Sequence, residues 1–300
     1  PEPLQRRYTE LMQQHRLRRE IIATAISNSL VNRMGPAFAL RMQNESGCGA
    51  AKVARAYEIA REIFDMRKLW SDIEALDDTV PASAQYALMG QSIRLLRHAT
   101  RWLLEERREK LDVAEVVTLF RPGVQAIWQN ATDLQIKPEL ARHRELLELY
   151  ADIGVPPKIA QRVASLRSLY PSLDVVSVAH ESGADVLHVA AVYYRLGSGL
   201  ELNWLRDQIQ ELNVDGHWQA VARGSLRDNL YELHRNLTAQ VIADYPDSAP
   251  GEGVIEWLDR GRKRFDHAQR TLKEMQASSA IDFPTLSVAI QEIRKIAQTR

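Results

Sequence analysis

The chain has 300 residues, of which 45% are hydrophobic and 26% are charged, and this ordinary globular composition excludes disorder on a large scale. Lys and Arg together number 39, as do Asp and Glu, so the formal net charge at pH 7 is zero. A dedicated nucleic-acid binder is usually clearly basic, and this chain as a whole is not.

Cysteine usage and hydropathy bear on the cellular compartment. Cys48 is the only cysteine, so no intrachain disulfide can form, which fits a reducing compartment. The longest nearly apolar run, VLHVAAVYY at 186–194, is far too short to span a bilayer, and no signal-peptide pattern opens the chain. We therefore expect a cytoplasmic protein with no membrane contact. Because the chain begins with Pro1 and not with Met, we also expect a piece of a longer protein.

The stretch 15–35, HRLRREIIATAISNSLVNRMG, predicts the first long helix. Gly35 supplies its end, and Pro36 suits the first position of a second, short helix. The apolar residues of this first helix are expected to form one continuous stripe. We therefore expect the helix to lie near the centre of the domain. The stripe comprises Leu17, Ile21, Ile22, Ile26, Leu30 and Met34.

Later helices are predicted from the residues that start or stop them. Pro81 starts a long helix that runs to about Arg108, and Asp112 opens the next one. Pro122-Gly123 is expected to mark a break between helices, and Gly197 an end. Two pairs have the spacing of a capping box and predict further starts, namely Ser71 with Glu74 and Ser198 with Glu201.

The chain is predicted to be an all-α, multi-helix array of about 12–15 helices with no sheet. The period is helical nearly everywhere, and no alternating run is flanked by hairpin turns. We expect a main helical domain over 1–243, a linker over 244–253 and a C-terminal helical hairpin over 254–300. The linker, DYPDSAPGEG, contains two Pro, two Gly and three acids, with little to bury.

The residue types that usually carry catalysis form no familiar pattern here. Gly47 and Gly49 follow no predicted strand, so helix ends explain them better than a dinucleotide site does. His180 and His188 are eight positions apart, whereas the zinc-protease motif needs two histidines four apart on one helix face. Cys48 has no apparent histidine partner for nucleophilic catalysis. We predict no catalytic, cofactor-binding or metal-ligating residue in this chain.

A basic stripe on the long helix after Pro81 is the best sequence argument for a nucleic-acid ligand. Glutamates on the same helix and acidic residues just upstream offset this charge locally. Binding of nucleic acid by an autonomous helical module is therefore the alternative hypothesis, and no nucleic acid is expected under the favoured one. The stripe consists of Arg94, Arg97, Arg101 and Arg108.

A polar stripe on the first helix is a candidate contact face. Thr24, Asn28 and Asn32 fall at positions i, i+4 and i+8, so they follow one another along one side of the helix. A solvated face would more often carry Glu and Lys, which are better helix formers. Short amides and hydroxyls suit close approach of another polypeptide, which predicts a contact with a partner domain; simple exposure is the alternative.

The sequence also resembles that of a known family. HRLRREIIATAISNSLVNRMGPAFALRM, followed by GAAKVARAYEIAREIFDMRKLWSDIEALDDTVPASAQYALM and RLLRHATRWLL, is similar to the C-terminal part of the large bacterial NAD-specific glutamate dehydrogenases. The match is long and correctly spaced over residues 15–130, and LYADIGVPPKIAQRVASL and VAAVYYRLGSGLELNWLRDQI extend it to about residue 240. The last fifty residues have no such match.

The resemblance implies a parent enzyme that converts L-glutamate to 2-oxoglutarate and ammonia, with NAD as hydride acceptor. It further implies homo-oligomers and a role in amino-acid catabolism. The family's substrate lysine and its nucleotide-binding fold belong to the preceding catalytic domain, and nothing in residues 1–300 matches those motifs. We therefore expect an inactive segment, without bound cofactor of its own, that packs on the catalytic domain of the same polypeptide and supports oligomerisation or regulation.

Overall fold

The structure is a computed structural model that describes residues 8–9, 11–109, 111–134, 136–278 and 280–298. The described residues form helices joined by short turns, and none of them lies in a strand. The predicted all-α class is therefore confirmed. Among the helices of this described part, none combines the length and the apolar composition needed to cross a membrane.

From Arg18 onward the described residues of the first half form eight α-helices. They are α1 (Arg18–Met34), α2 (Phe38–Ser46), α3 (Ala50–Ile63), α4 (Met66–Glu74), α5 (Ala82–Glu106), α6 (Val113–Gln129), α7 (Ala131–Leu134) and α8 (Lys137–Asp152).

The second half begins with α9 (Pro157–Ala164), which runs directly into a short 3-10 helix (Ser165–Leu169). The remaining helices are α10 (Ser172–Ser182), α11 (Val186–Gly199), α12 (Leu202–Glu211), α13 (His217–Asp244), α14 (Pro250–Arg260), α15 (Arg262–Gln276) and α16 (Phe283–Ala297).

One hydrophobic core extends through both halves. In the first half, α3 packs against α5 and α6, with Tyr57, Leu88 and Phe120 fully buried between them. In the second half, α11 packs against α10, α13 and α14. Helix α10 contacts both α6 and α13, so it joins the two groups of helices.

The start signals at Pro81 and Asp112 are confirmed. Pro81 precedes the first residue of α5, and the Asp112 carboxylate accepts a hydrogen bond from the backbone N–H of Glu115 at 2.9 Å. Such an N-cap satisfies a donor that the first turn of a helix leaves unpaired. One side of α5 is buried along most of its length, and it consists of Leu88, Ser92, Leu95, Ala99 and Trp102.

The predicted break at Pro122-Gly123 is wrong, because α6 continues through both residues. A Cβ atom on Gly123 would lie 2.7 Å from Cγ2 of Val176 in α10, closer than real Cβ contacts occur. Gly123 therefore permits close packing of α6 on α10, and it does not mark a turn.

Both predicted capping boxes and the stop at Gly197 are also wrong. Ser71 lies within α4, and Gly197 and Ser198 lie within α11. Glu201 precedes α12 in a left-handed conformation with φ of 55°, and no side chain caps that helix. Spacing alone does not form a capping box, because the serine must first lie outside the helix.

Helix α1 lies at the edge of the array and not near its centre as expected. Leu17, Ile21 and Ile22 are 45%, 51% and 46% exposed, and only Leu30 and Met34 of the predicted stripe are buried. Ile21 and Leu30 are nine residues apart, which is two and a half helical turns, so they lie on opposite sides of α1. The stripe was thus two stripes, and only one of them reaches the core.

The segment predicted as a linker is shorter in the structure, where 245–249 separates α13 from α14. Beyond it, α15 and α16 pack on each other, and α16 contacts both α12 and α13. Leu286, Ala289 and Ile293 of α16 are fully buried. The proposed division of the chain into two domains stays a prediction.

Candidate functional site

The predicted contact residues Thr24, Asn28 and Asn32 are all exposed on α1. At 100° of rotation per residue, Ile21 and Val31 fall on the same side of the helix as these three, within an arc of about 100°. The side chains of Ile21 and Val31 are 51% and 45% exposed. We call this mixed surface of Ile21, Thr24, Asn28, Val31 and Asn32 the α1 outer face.

The opposite side of α1 is held by side-chain hydrogen bonds as well as by Leu30 and Met34. The hydroxyl groups of Ser29 and Tyr57 are 3.0 Å apart, and Nη1 of Arg61 donates to Oγ of Ser29 at 2.9 Å. Burial raises the pKa of the Tyr57 phenol, so this hydroxyl stays protonated. The carboxyl half of α1 is therefore fixed in orientation relative to α3.

An ion pair adds to this attachment at the end of the helix. Nη1 of Arg33 lies 2.5 Å from Oε1 of Glu74, and its guanidinium centre lies 4.8 Å from the centroid of Trp70. A cation over an indole ring is attractive in its own right. These contacts anchor the carboxyl half of α1, so the part of the α1 outer face at Asn28, Val31 and Asn32 has a fixed orientation.

The residues considered for metal or nucleophilic chemistry lie apart. His180 belongs to α10 and His188 to α11, with Gly183 at φ 71° between the two helices. Cys48 is buried and unpaired. In the described ranges no three His, Cys, Asp or Glu side chains are grouped in a way that would hold a metal ion.

Ion pairs within the chain neutralise part of the positive charge of the basic stripe on α5. Arg101 contacts Glu45 of α2 at 2.8 Å, Glu105 of its own helix at 2.9 Å and Asp228 of α13 at 2.5 Å. Arg108 donates a hydrogen bond to the backbone oxygen of Gly47 at 3.4 Å. A guanidinium bound by three carboxylates offers little charge to a phosphate backbone.

A buried carboxylate next to this stripe was not foreseen from the sequence. Asp174 of α10 is 1% exposed, and its Oδ1 accepts hydrogen bonds from Nε1 of Trp102 at 2.7 Å and Nη1 of Arg235 at 3.3 Å. Burial raises the pKa of Asp174 to about 6, while the bonds from Trp102 and Arg235 oppose that rise. Trp102 and Arg235 lie 72 and 61 positions from Asp174 in the sequence, so no local sequence pattern predicts these contacts.

Known proteins of greater length are similar to this chain. The family model described as "Glutamate dehydrogenase, C-terminal" matches residues 1–295. The chain is similar to the NAD-specific glutamate dehydrogenases of Pseudomonas aeruginosa, with 36% identity over 301 residues, and of Halomonas elongata, with 35% over 306. The enzyme of the same description from Mycobacterium tuberculosis is 30% identical over 300 residues. Each match covers the whole chain, which spans 18% of the length of each relative.

Proposed function

The chain belongs to the family of glutamate dehydrogenase C-terminal regions, and from this premise we propose that it packs on the catalytic domain of a longer NAD-dependent glutamate dehydrogenase. The whole protein would convert L-glutamate, NAD and water to 2-oxoglutarate, ammonia and NADH. This segment supplies no catalytic residue and no NAD contact to that reaction. Its role is to complete the folded enzyme, as a cytoplasmic homo-oligomer active in amino-acid catabolism.

The observation that carries the proposal is the α1 outer face. Half-exposed aliphatic side chains that share one side of a helix with short polar residues form a surface that another polypeptide can cover. Thr24, Asn28 and Asn32 interleave with Ile21 and Val31 there. A mixed surface of this kind suits a contact between domains, which is more polar than an obligate interface.

The position of α1 in the chain supports the catalytic domain as the occupant of this surface. The relatives are more than five times as long as the matched region, and the family description places that region at the carboxyl end. In a polypeptide as long as these relatives, the preceding residues would join this chain on the amino-terminal side of α1. A neighbour tied by covalent linkage has a high effective concentration, so a modest surface suffices for docking.

One test uses a matched pair of exposed aliphatic residues. Ile21 on α1 and Val288 on α16 are each 51% exposed. We expect Ile21→Ser to lower the melting temperature and the dehydrogenase activity of the natural-length enzyme by a larger amount than it lowers the melting temperature of the 300-residue chain. Val288→Ser serves as the control and should affect the two proteins alike. Equal effects of Ile21→Ser on both proteins would contradict docking through α1.

The polar residues of the same face provide a second arm of the test. Replacing Asn28 and Asn32 with Asp keeps their size but adds charge, so the double variant should weaken the natural-length enzyme more than the 300-residue chain. The isolated chain should show no glutamate-dependent production of NADH. Measurable turnover by that chain would overturn the assignment of all catalytic residues to the preceding domain.

A further inference from the structure

A cavity of about 380 Å³ lies among α8, α9, the 3-10 helix, α11, α12 and α13. This size falls within the range of small-molecule sites, which is about 300–1,000 Å³. Apolar side chains cover part of its wall, among them Leu146, Pro171 and Trp204. The remainder of the wall is polar, and its hydrogen-bonding groups are incompletely paired.

Four residues that line the cavity carry buried polar atoms without a hydrogen-bond partner. They are His143 at both ring nitrogens, Tyr193 at its hydroxyl, Arg206 at Nε and Nη2, and His234 at Nδ1. These are six of the twelve such side-chain atoms in the described residues. Buried polar groups in folded proteins are nearly always hydrogen-bonded, so a concentration of unpaired ones around one cavity points to a missing polar partner.

Arg206 offers the most specific of these groups. Its Nη1 donates a hydrogen bond to Oδ1 of Asn203 at 2.9 Å, and its guanidinium centre lies 4.8 Å from the centroid of Tyr231. The remaining edge of the guanidinium, Nε and Nη2, presents two parallel N–H donors. This fork matches the two oxygens of a carboxylate, and such a bidentate pair is stronger than two neutral hydrogen bonds.

Among the described residues, carboxylates near the cavity act on the charge of Arg206, although none forms an ion pair with it. Arg142 and Arg167 both pair with Asp207, which neutralises part of their charge. Burial alone would lower the pKa of Arg206, but the neighbouring tyrosines and the carboxylates of Asp207 and Glu139 raise it overall. Glu139 also accepts a hydrogen bond from the amide of Asn203. Burial and the charge of Arg206 lower the pKa of His234 well below its usual value, so that ring stays neutral. The Arg206 guanidinium lacks hydrogen-bond acceptors at Nε and Nη2 among the described residues, and leaving those buried donors unpaired is costly.

We propose that this cavity binds a small organic carboxylate. The carboxylate accepts hydrogen bonds from Nε and Nη2 of Arg206, and the Tyr193 hydroxyl and one ring nitrogen of His143 supply further polar contacts. The carbon skeleton lies against Leu146 and Trp204. Nothing in this proposal depends on docking through α1, since the cavity is built from α8–α13 and not from the first helix.

The shared chemistry is the carboxylate, and the sources to be told apart are a simple acid, a dicarboxylic acid and an amino acid. Isothermal titration calorimetry on the full 300-residue chain, with acetate, glutarate and L-glutamate as probes, separates them. Glutarate and L-glutamate differ in the amino group alone. Binding of any one of the three supports a carboxylate site, and the best of them identifies the source. Binding of none, or binding of inorganic phosphate in preference to all three, would overturn it.

Two variants assign the binding to this cavity. Arg206→Lys keeps the charge but removes the forked edge, and should weaken the best probe at least tenfold. Tyr193→Phe removes one unpaired hydroxyl and should weaken it a few-fold while the chain stays folded by circular dichroism. Tyr57→Phe removes a buried hydroxyl in α3, which does not line the cavity. It is the matched control and should leave the affinity for the probe unchanged. Unchanged affinity in both Arg206→Lys and Tyr193→Phe would show that the probe binds elsewhere.

Discussion

The α1 outer face and the cavity among α8–α13 depart from ordinary burial in opposite directions. On α1, aliphatic side chains such as Ile21 and Val31 face water. Around the cavity, polar atoms such as Nε of Arg206 and the Tyr193 hydroxyl are shielded from water without a partner. Each region lacks a different kind of contact.

The difference teaches what kind of partner each region is suited to. Exposed apolar surface is stabilised in proportion to the area that is removed from water, and a folded polypeptide can cover a large area. Buried unpaired donors are stabilised by acceptor atoms of the right position and charge. A small polar molecule can supply these with a few atoms. The first region is therefore assigned to a domain and the second to a ligand, although both belong to one helical array.

The largest expected effect distinguishes the two sides of α1. Leu30 is 4% exposed and Ile21 is 51% exposed on the opposite side. Leu30→Ala should lower the free energy of unfolding by about 2–5 kcal/mol, because it leaves a cavity in the core. Ile21→Ala should change it by less than about 0.5 kcal/mol. Urea unfolding of the 300-residue chain measures both, and similar losses would mean that the outer face is already covered within this chain.

The next effect concerns the buried carboxyl of Asp174, whose pKa rises from 3.8 to about 6 in the folded state. A raised pKa means that protonation favours folding. The contribution of Asp174 to stability is thus complete below about pH 3.8 and is lost as the pH rises through about 6. Asp174→Asn mimics the protonated form and should be more stable than the parent chain near pH 7, by up to about 3 kcal/mol.

The comparison of Asp174→Asn with the parent chain is needed because other groups titrate nearby. Burial lowers the pKa of His98 to about 3, so His98 favours folding at higher pH and masks the trend of Asp174. An asparagine oxygen still accepts from Trp102, and Arg235 keeps Glu106 at 3.0 Å. Melting curves from pH 4 to pH 8 should converge at the acidic end. A less stable variant at pH 8 would mean that the Arg235 pair outweighs desolvation.

The smallest effect examines the cavity itself in the absence of any added carboxylate. Tyr193 carries a buried hydroxyl without a partner, whereas the Tyr57 hydroxyl lies 3.0 Å from that of Ser29. Tyr193→Phe should therefore raise the free energy of unfolding by about 1 kcal/mol, and Tyr57→Phe should lower it by about the same amount. Urea titration gives both values. If Tyr193→Phe proved destabilising, the Tyr193 hydroxyl would already have a hydrogen-bond partner in the folded chain.

Helix class and many helix starts were predictable from the sequence because their causes are local. The Asp112 cap and the start at Pro81 depend on residues within one turn, and both signals were correct. Ser71, Pro122 and Gly197 carried the same kind of signal and were misleading. Packing against neighbouring helices decided those positions, and packing partners are not visible within a short window of sequence.

The candidate surfaces were predictable only in part. The polar stripe at Thr24, Asn28 and Asn32 was visible because its members recur every four residues on one helix. The cavity was not visible, since His143, Tyr193 and Arg206 come from three helices separated by loops. Its residues have no common spacing, and each of them taken alone resembles an ordinary member of a helix.

The three carboxylates around Arg101 have a consequence for how the chain reaches its native state. Arg101 and Asp228 are 127 positions apart, so during synthesis on the ribosome the arginine emerges long before this partner exists. Until then the guanidinium can meet Glu45 and Glu105, which are translated earlier. The contact between α5 and α13 at Arg101 can therefore form only after α13 has left the exit tunnel, so the last of these ion pairs is completed after the others.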